Sequence, residues 1–201
     1  MARRVVLATG NRGKLAEMRA ILAGSGIEVL PQSDFGIEPP VEDGDSFAAN
    51  ALIKARHAAR LAGLPAIADD SGLEVDALGG RPGIHSARYA GPGASDADNN
   101  RKLLEELAGV PAGRRGARYR CAMAWVDRAD DAAARVFEAA WEGAIGEAPR
   151  GDGGFGYDPL FLVAGGSRTA AEMPAAEKNR VSHRGQALAA LVAALAAGGN
   201  G

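Results

Sequence analysis

Two adjacent carboxylates, Asp69 and Asp70, follow the apolar run Leu64-Pro65-Ala66-Ile67-Ala68 and precede Ser71 and Gly72. A buried strand that ends in acids delivers them to the rim of a sheet, where open α/β sheets keep their sites. Carboxylates there suit Mg²⁺, which takes one or two protein oxygens and leaves room for phosphates. The same residues also suit a turn, since Asp, Ser and Gly are turn formers.

Other residues of chemical interest are spread along the chain. Thr9-Gly10-Asn11-Arg12-Gly13-Lys14 joins a first strand to a helix. Backbone N–H groups at a helix start attract phosphate, and Lys14 adds a charge. The loop lacks the glycine spacing of a Walker P-loop and its Ser or Thr after the lysine. Glu42 is a third acid, of consequence only if its loop folds back beside Asp69 and Asp70, and three such acids repel unless a cation sits among them. Asn50 and Lys54 lie one helical turn apart and could face a ligand together, although a helix lysine is ordinarily solvated. In Phe155-Gly156-Tyr157-Asp158 an aromatic flanked by glycines suits base stacking or core packing. Lys178, Ser182, His183 and Arg184 group donors near a helix start, where simple capping is the plain alternative.

The elements that must position these groups follow from periodicity. Arg4–Ala8 reads as a buried strand, Asn11 as the cap of a helix with Leu15, Met18, Ile21 and Leu22 on its apolar face, and Ile27–Leu30 as a second strand. Ser46 caps a helix to Ala62, with Ala51, Ala55, Ala58 and Ala62 as a close-packing face. The strand ending at Asp69-Asp70 is followed by a separate short strand, Leu73–Val75. Ser95 with Asp98 starts a helix to Leu107. Tyr119–Trp125 and Val136–Trp141 form a hairpin around Asp127–Asp131, and these two tryptophan strands are candidates for an exposed, dimer-forming face. Leu160–Val163 is a last strand and Ser182 caps a last helix. The order predicts an α/β fold with a mixed sheet.

The 201 residues amount to one domain over residues 1–197, with a flexible tail over 198–201. An apolar share of 47% and a charged share of 24% are ordinary for a globular chain. A net charge of −2 gives no bulk attraction to nucleic acid or to an anionic membrane. The single cysteine, Cys121, excludes an internal disulfide and fits a cytoplasmic setting. The Ala-rich run from Ala187 to Ala197 is too short to span a bilayer. No zinc-spaced His/Cys set and no Gly-x-Ser-x-Gly elbow occur.

Taken together, these parts fit a nucleoside triphosphate. The chain resembles the inosine/xanthosine triphosphate pyrophosphatase family through seven ordered motifs: Thr9-Gly10-Asn11-x-x-Lys14, Glu42-x-Gly44, Asn50-x-x-x-Lys54-Ala55, Ala68-Asp69-Asp70-Ser71-Gly72-Leu73, Pro82-Gly83-Ile84-x-Ser86-Ala87-Arg88-Tyr89, Gly154-Phe155-Gly156-Tyr157-Asp158-Pro159 and Ser182-His183-Arg184. The resemblance implies an elongated two-lobed α/β fold around a long mixed sheet, with the active site in the cleft between lobes. It implies a Mg²⁺-dependent homodimer that hydrolyses ITP, dITP or XTP to the monophosphate and pyrophosphate, cleansing the nucleotide pool. By the same resemblance Asp70 is proton acceptor and metal ligand, and Glu42 a second metal ligand. Substrate contacts are implied for Thr9, Gly10, Asn11, Arg12, Gly13, Lys14, Lys54, Ser71, Phe155, Gly156, Tyr157, Asp158, Lys178, His183 and Arg184. Asp69 could instead hold outer-shell waters of the metal. The competing expectations are a phosphatase that removes the terminal phosphate, and a nucleotide sensor without turnover.

Overall fold

Val5, Val6 and Leu7 are all fully buried, the mark of a strand covered on both faces. They end β1 (Arg3–Leu7), which pairs in parallel with β2 (Ile27–Pro31) on one side and β3 (Ala66–Val75) on the other. The computed structural model describes residues 3–198. Its sheet has six strands in the order β2-β1-β3-β4-β5-β6, with β4 at Gly116–Val126, β5 at Arg135–Ile145 and β6 at Phe161–Val163. β6 runs antiparallel to β5, so the expected mixed α/β sheet is present.

Short-range signals account for the helices. Asn11 caps α1 (Arg12–Leu22) by accepting from the Lys14 N–H at 3.0 Å. Ser46 caps α2 (Phe47–Ala62), which ends at Gly63 in the left-handed conformation. Ala51, Ala55 and Ala58 on α2 are fully buried and let it approach β1 closely, whereas Ala62 is only half-buried. Ser95 and Asp98 form a reciprocal capping box before α3 (Asp96–Glu106). Two helices follow in succession, α4 (Ala175–Val181) and α5 (His183–Gly198), the latter opening directly after Ser182. The tail expected over 198–201 lies, apart from Gly198, outside the described residues. Among the described residues no helix is long and apolar enough to cross a membrane.

Two expectations need correction. Ala66–Val75 is one continuous strand rather than a strand, a turn and a short strand, so Asp69 and Asp70 lie mid-strand. Ser71 and Gly72 are turn formers only where nothing pairs with the extended backbone; here the strand is held within the sheet. The last strand starts one residue late, because Leu160 N–H bonds back to the Tyr157 carbonyl and closes a turn. Trp125 and Trp141 are themselves buried, and the exposed positions of β5 are Glu138 and Glu142.

The chain divides into two compact units. The first comprises the residues up to Asp70, Cys121–Ala139 and those from His183 onward. Its core gathers Val5, Leu7 and Ile67 from the strands, Met18 and Leu22 from α1, and Leu188 and Leu191 from α5, around Met123 and Trp125. Cys121 belongs to the same core, and burial pushes its thiol up to about 12. The second unit comprises Ser71–Arg120 and Ala140–Ser182. Its core centres on Tyr119, Trp141 and Phe161, whose rings pack with centroids 4.7 to 6.3 Å apart, together with Leu73, Leu103, Leu107 and Tyr157.

Candidate active site

Neighbouring residues of a strand point to opposite faces, and this rule divides the two acids. Asp69 turns toward α1 and α5, and Asp70 turns toward α2.

Asp69 is 1% exposed. Its Oδ2 lies 3.0 Å from Lys14 Nζ and 3.1 Å from an Arg184 guanidinium nitrogen. Arg184, 2% exposed, also pairs with Glu17 on α1. Burial alone would raise the Asp69 carboxyl, but Lys14, Arg184 and Lys54 outweigh it and hold the group well below the usual carboxylate range. The parallel ladder places this cluster at the end of β1. Leu7 is in register with Ile67, and two residues further on stand Thr9 and Asp69. Thr9 Oγ1 accepts from the Asn11 N–H at 3.1 Å, which fixes the turn from β1 into α1. The first-turn N–H groups of α1 thus open at the end of β1, beside Lys14 and the mid-strand Asp69.

On the opposite face, Lys54 donates to Asp70 Oδ1 at 2.8 Å and to Glu42 Oε2 at 3.0 Å. The Glu42 loop therefore does fold back, and the cation that keeps its acid beside Asp70 is a lysine. Lys54 is buried rather than solvated. Burial opposes its charge, but Asp70, Asp69 and Glu42 raise its pKa above the ordinary value. Asp70 is raised by burial, with Lys54 and Lys14 working against the rise and Glu42 adding to it. A raised carboxyl is a better proton acceptor than an exposed one.

The second unit holds its own cluster. Asp158, buried, accepts from Lys178 Nζ, from the Phe155 N–H at 2.9 Å and from Tyr119 Oη at 3.2 Å. Lys178 is buried as well, and its ammonium lies 5.1 Å from the half-buried Phe155 ring. A Cβ on Gly154 would stand 2.0 Å from Asp158 Oδ2, and its φ is +71°, so glycine is required there. Gly156 is clamped by Asp96, which accepts from its N–H at 2.7 Å, and by Asn100, which donates to its carbonyl at 2.9 Å. Tyr157 is core, with its hydroxyl on the Ser86 carbonyl.

The structure thus gathers Thr9–Lys14, Glu42, Lys54, Asp69, Asp70 and Arg184 in the first unit, where buried His183 opens α5. Ser71, Phe155–Asp158 and Lys178 belong to the second. Sequence reasoning missed Glu17, whose only signal was its place one turn after Lys14, and Tyr119, which read as a strand residue. Acids paired with lysines beside a helix start are equipped to hold a polyphosphate and to take a proton from water.

A family model of the Ham1 family matches residues 5–194. The dITP/XTP pyrophosphatase of Methylococcus capsulatus is 60% identical over 197 residues, which is 98% of each chain. That of Yersinia pestis is 52% identical over 192 residues, 96% of this chain and 98% of its own. A HAM1 protein from Coxiella burnetii of known structure aligns with a TM-score of 0.88 at 46% identity, covering 97% of this chain and 99% of the other. The chain belongs to the Ham1 family.

Proposed function

We propose that this chain is a pyrophosphatase that hydrolyses ITP, dITP and XTP to the nucleoside monophosphate and pyrophosphate. The observation that carries the reading is the convergence of Glu42 and Asp70 on Lys54 in the unit where Asp69 binds Lys14 at the start of α1. Relatives named dITP/XTP pyrophosphatases, similar along nearly their whole length, support it.

Mg²⁺ is the cofactor of this reading. The test of fit is the donor set: two carboxylates already aim their oxygens at one positive centre, and Mg²⁺ needs one or two such ligands beside substrate phosphates. No group of three or more His, Cys, Asp or Glu set for a metal occurs among the described residues, and none is required. Glu42 and Asp70 would hold the ion, which when bound neutralises charge on the phosphates.

Asp70 takes a proton from the attacking water. The water oxygen forms a bond to the α-phosphorus, the bond from that phosphorus to the bridging oxygen breaks, and pyrophosphate leaves. Lys14, Lys54 and the first-turn N–H groups of α1 hold the departing charge. Ser71, Phe155–Asp158, Lys178, His183 and Arg184 take the remaining substrate contacts, with Phe155 stacking on the base. Hypoxanthine and xanthine carry a 6-oxo acceptor where adenine carries an amino donor. A site with donors for that oxygen rejects adenine by up to about 10⁴-fold, whereas guanine shares the 6-oxo group and its exclusion requires a group that opposes its 2-amino nitrogen.

The test is product analysis with ITP, XTP, GTP and ATP in Mg²⁺, on cytoplasmically expressed protein whose solution mass is expected to be that of a homodimer. Monophosphate and pyrophosphate from ITP and XTP, with GTP and ATP nearly untouched, is the expected result. Orthophosphate as product would replace the reading with a terminal phosphatase. Tight binding without turnover would replace it with a nucleotide sensor.

A further inference from the structure

We infer that Asn50 is a positioning residue that fixes Asp70 and the Glu42 loop in one arrangement, with Gly44 as its required partner. The inference rests on the proposed reading of Asp70 and Glu42 as the acids of the site.

Asn50 lies in the first turn of α2 and is 2% exposed. Its side-chain amide is used at both ends. Oδ1 accepts from the Gly44 N–H at 2.9 Å, and Nδ2 donates to Asp70 Oδ2 at 3.3 Å. A backbone N–H can only donate and a carboxylate can only accept, so the two partners set the orientation of the amide. Lys54, one turn later on the same face, takes the other Asp70 oxygen. Both oxygens of the acid are therefore held by one rigid helix. The Gly44 bond ties down the loop two residues after Glu42, whose carboxylate reaches the same Lys54. Gly44 admits no other residue. A Cβ there would stand 2.7 Å from Asn50 Oδ1, 2.8 Å from Ala49 Cβ and 3.0 Å from the Asn50 nitrogen, two of these belonging to the helix backbone or its Cβ.

Three variants separate the two ends of the amide. Asn50→Ala removes both bonds. Asn50→Asp keeps an acceptor for the Gly44 N–H but turns a carboxylate toward Asp70. Gly44→Ala leaves Asn50 intact and forces the loop away from α2. Amide hydrogen exchange at Gly44 is measured on the chain without metal or nucleotide. Mn²⁺ binding is read from the electron paramagnetic resonance of the free ion, and kcat and KM are measured on ITP. In Asn50→Ala, Gly44 should exchange about tenfold faster or more, Mn²⁺ half-saturation should rise about tenfold, and kcat should fall about tenfold or more while KM moves by less than about threefold. Asn50→Asp should keep the Gly44 amide protected and still lose kcat, a split that loss of packing would not give. Gly44→Ala, a loop change that leaves both cores intact, should weaken Mn²⁺ binding by about tenfold.

Unchanged Gly44 exchange in Asn50→Ala, parental kcat in Asn50→Asp, or parental Mn²⁺ binding in Gly44→Ala would each overturn the inference. If the parent forms no pyrophosphate and binds no Mn²⁺, the proposed function falls and takes the inference with it. Active parent and indifferent variants would remove the inference alone.

Discussion

Asp70→Asn is expected to leave the protein folded and to lower kcat on ITP by about 100-fold or more, the scale of losing a general base. The substitution keeps the volume of the side chain and an oxygen for Lys54, which donates to Asp70 Oδ1 at 2.8 Å. It removes the negative charge and the lone pair that accepts the proton of water. The amide nitrogen then faces Asn50 Nδ2, so one hydrogen bond is lost, a cost of about 1 to 3 kcal/mol against the fold. Steady-state kinetics beside thermal unfolding separates the two effects. A folded Asp70→Asn with near-parental kcat would end the assignment of Asp70 as proton acceptor.

The largest stability effect is expected at Arg184. Arg184→Met keeps most of the volume but removes a guanidinium that pairs with Asp69 and Glu17, with Arg184 and Asp69 almost wholly buried. Lys14 would remain paired with the Asp69 charge at 3.0 Å. Breaking a buried ion pair from one side costs about 3 to 5 kcal/mol, because the remaining charge stays desolvated. Urea unfolding at neutral pH should show a loss of this size. Asp69→Asn added to Arg184→Met should recover part of it, since the stranded charge is gone. A loss below about 1 kcal/mol for the single variant would mean that the pair is not holding α5 to the sheet. The pH dependence has a definite sign. The folded Asp69 carboxyl is held below its ordinary value, so its contribution is complete above about pH 4 and is lost as pH falls through the folded pKa.

The three main caps were legible, since Asn11, Ser46 and Ser95 each satisfy helix N–H groups within three residues of themselves. So were the ends of α2, and the parallel strands that flank α1. What failed or stayed conditional depended on partners distant in sequence. Ser71 and Gly72 carry the composition of a turn, and only the neighbouring strands hold them extended. Glu42 looks like any loop glutamate, because the bond that recruits its loop runs from Gly44 to a helix residue whose other partner is twenty positions further on. The resemblance implied two lobes, but periodicity did not show where the chain divides between the two units. β3, β4 and β5 each contribute residues to both, and alternating apolar residues do not say which of two cores a strand half will join.

Lys54 also sets an order of assembly. It supplies positive charge to Glu42 and Asp70 from inside the fold, so the chain carries its own counter-ion and can close around its acids before any ligand arrives. With the proposed Mg²⁺ as ligand, folding and loading would be separate events: a newly made chain would mature without waiting for a metal supply, and a loaded one would give up its ion and take it back without unfolding. Chelation should accordingly abolish turnover while the melting temperature stays within about 3 °C, and full activity should return when Mg²⁺ is restored. Loss of cooperative unfolding in chelator would show instead that ion and fold arrive together.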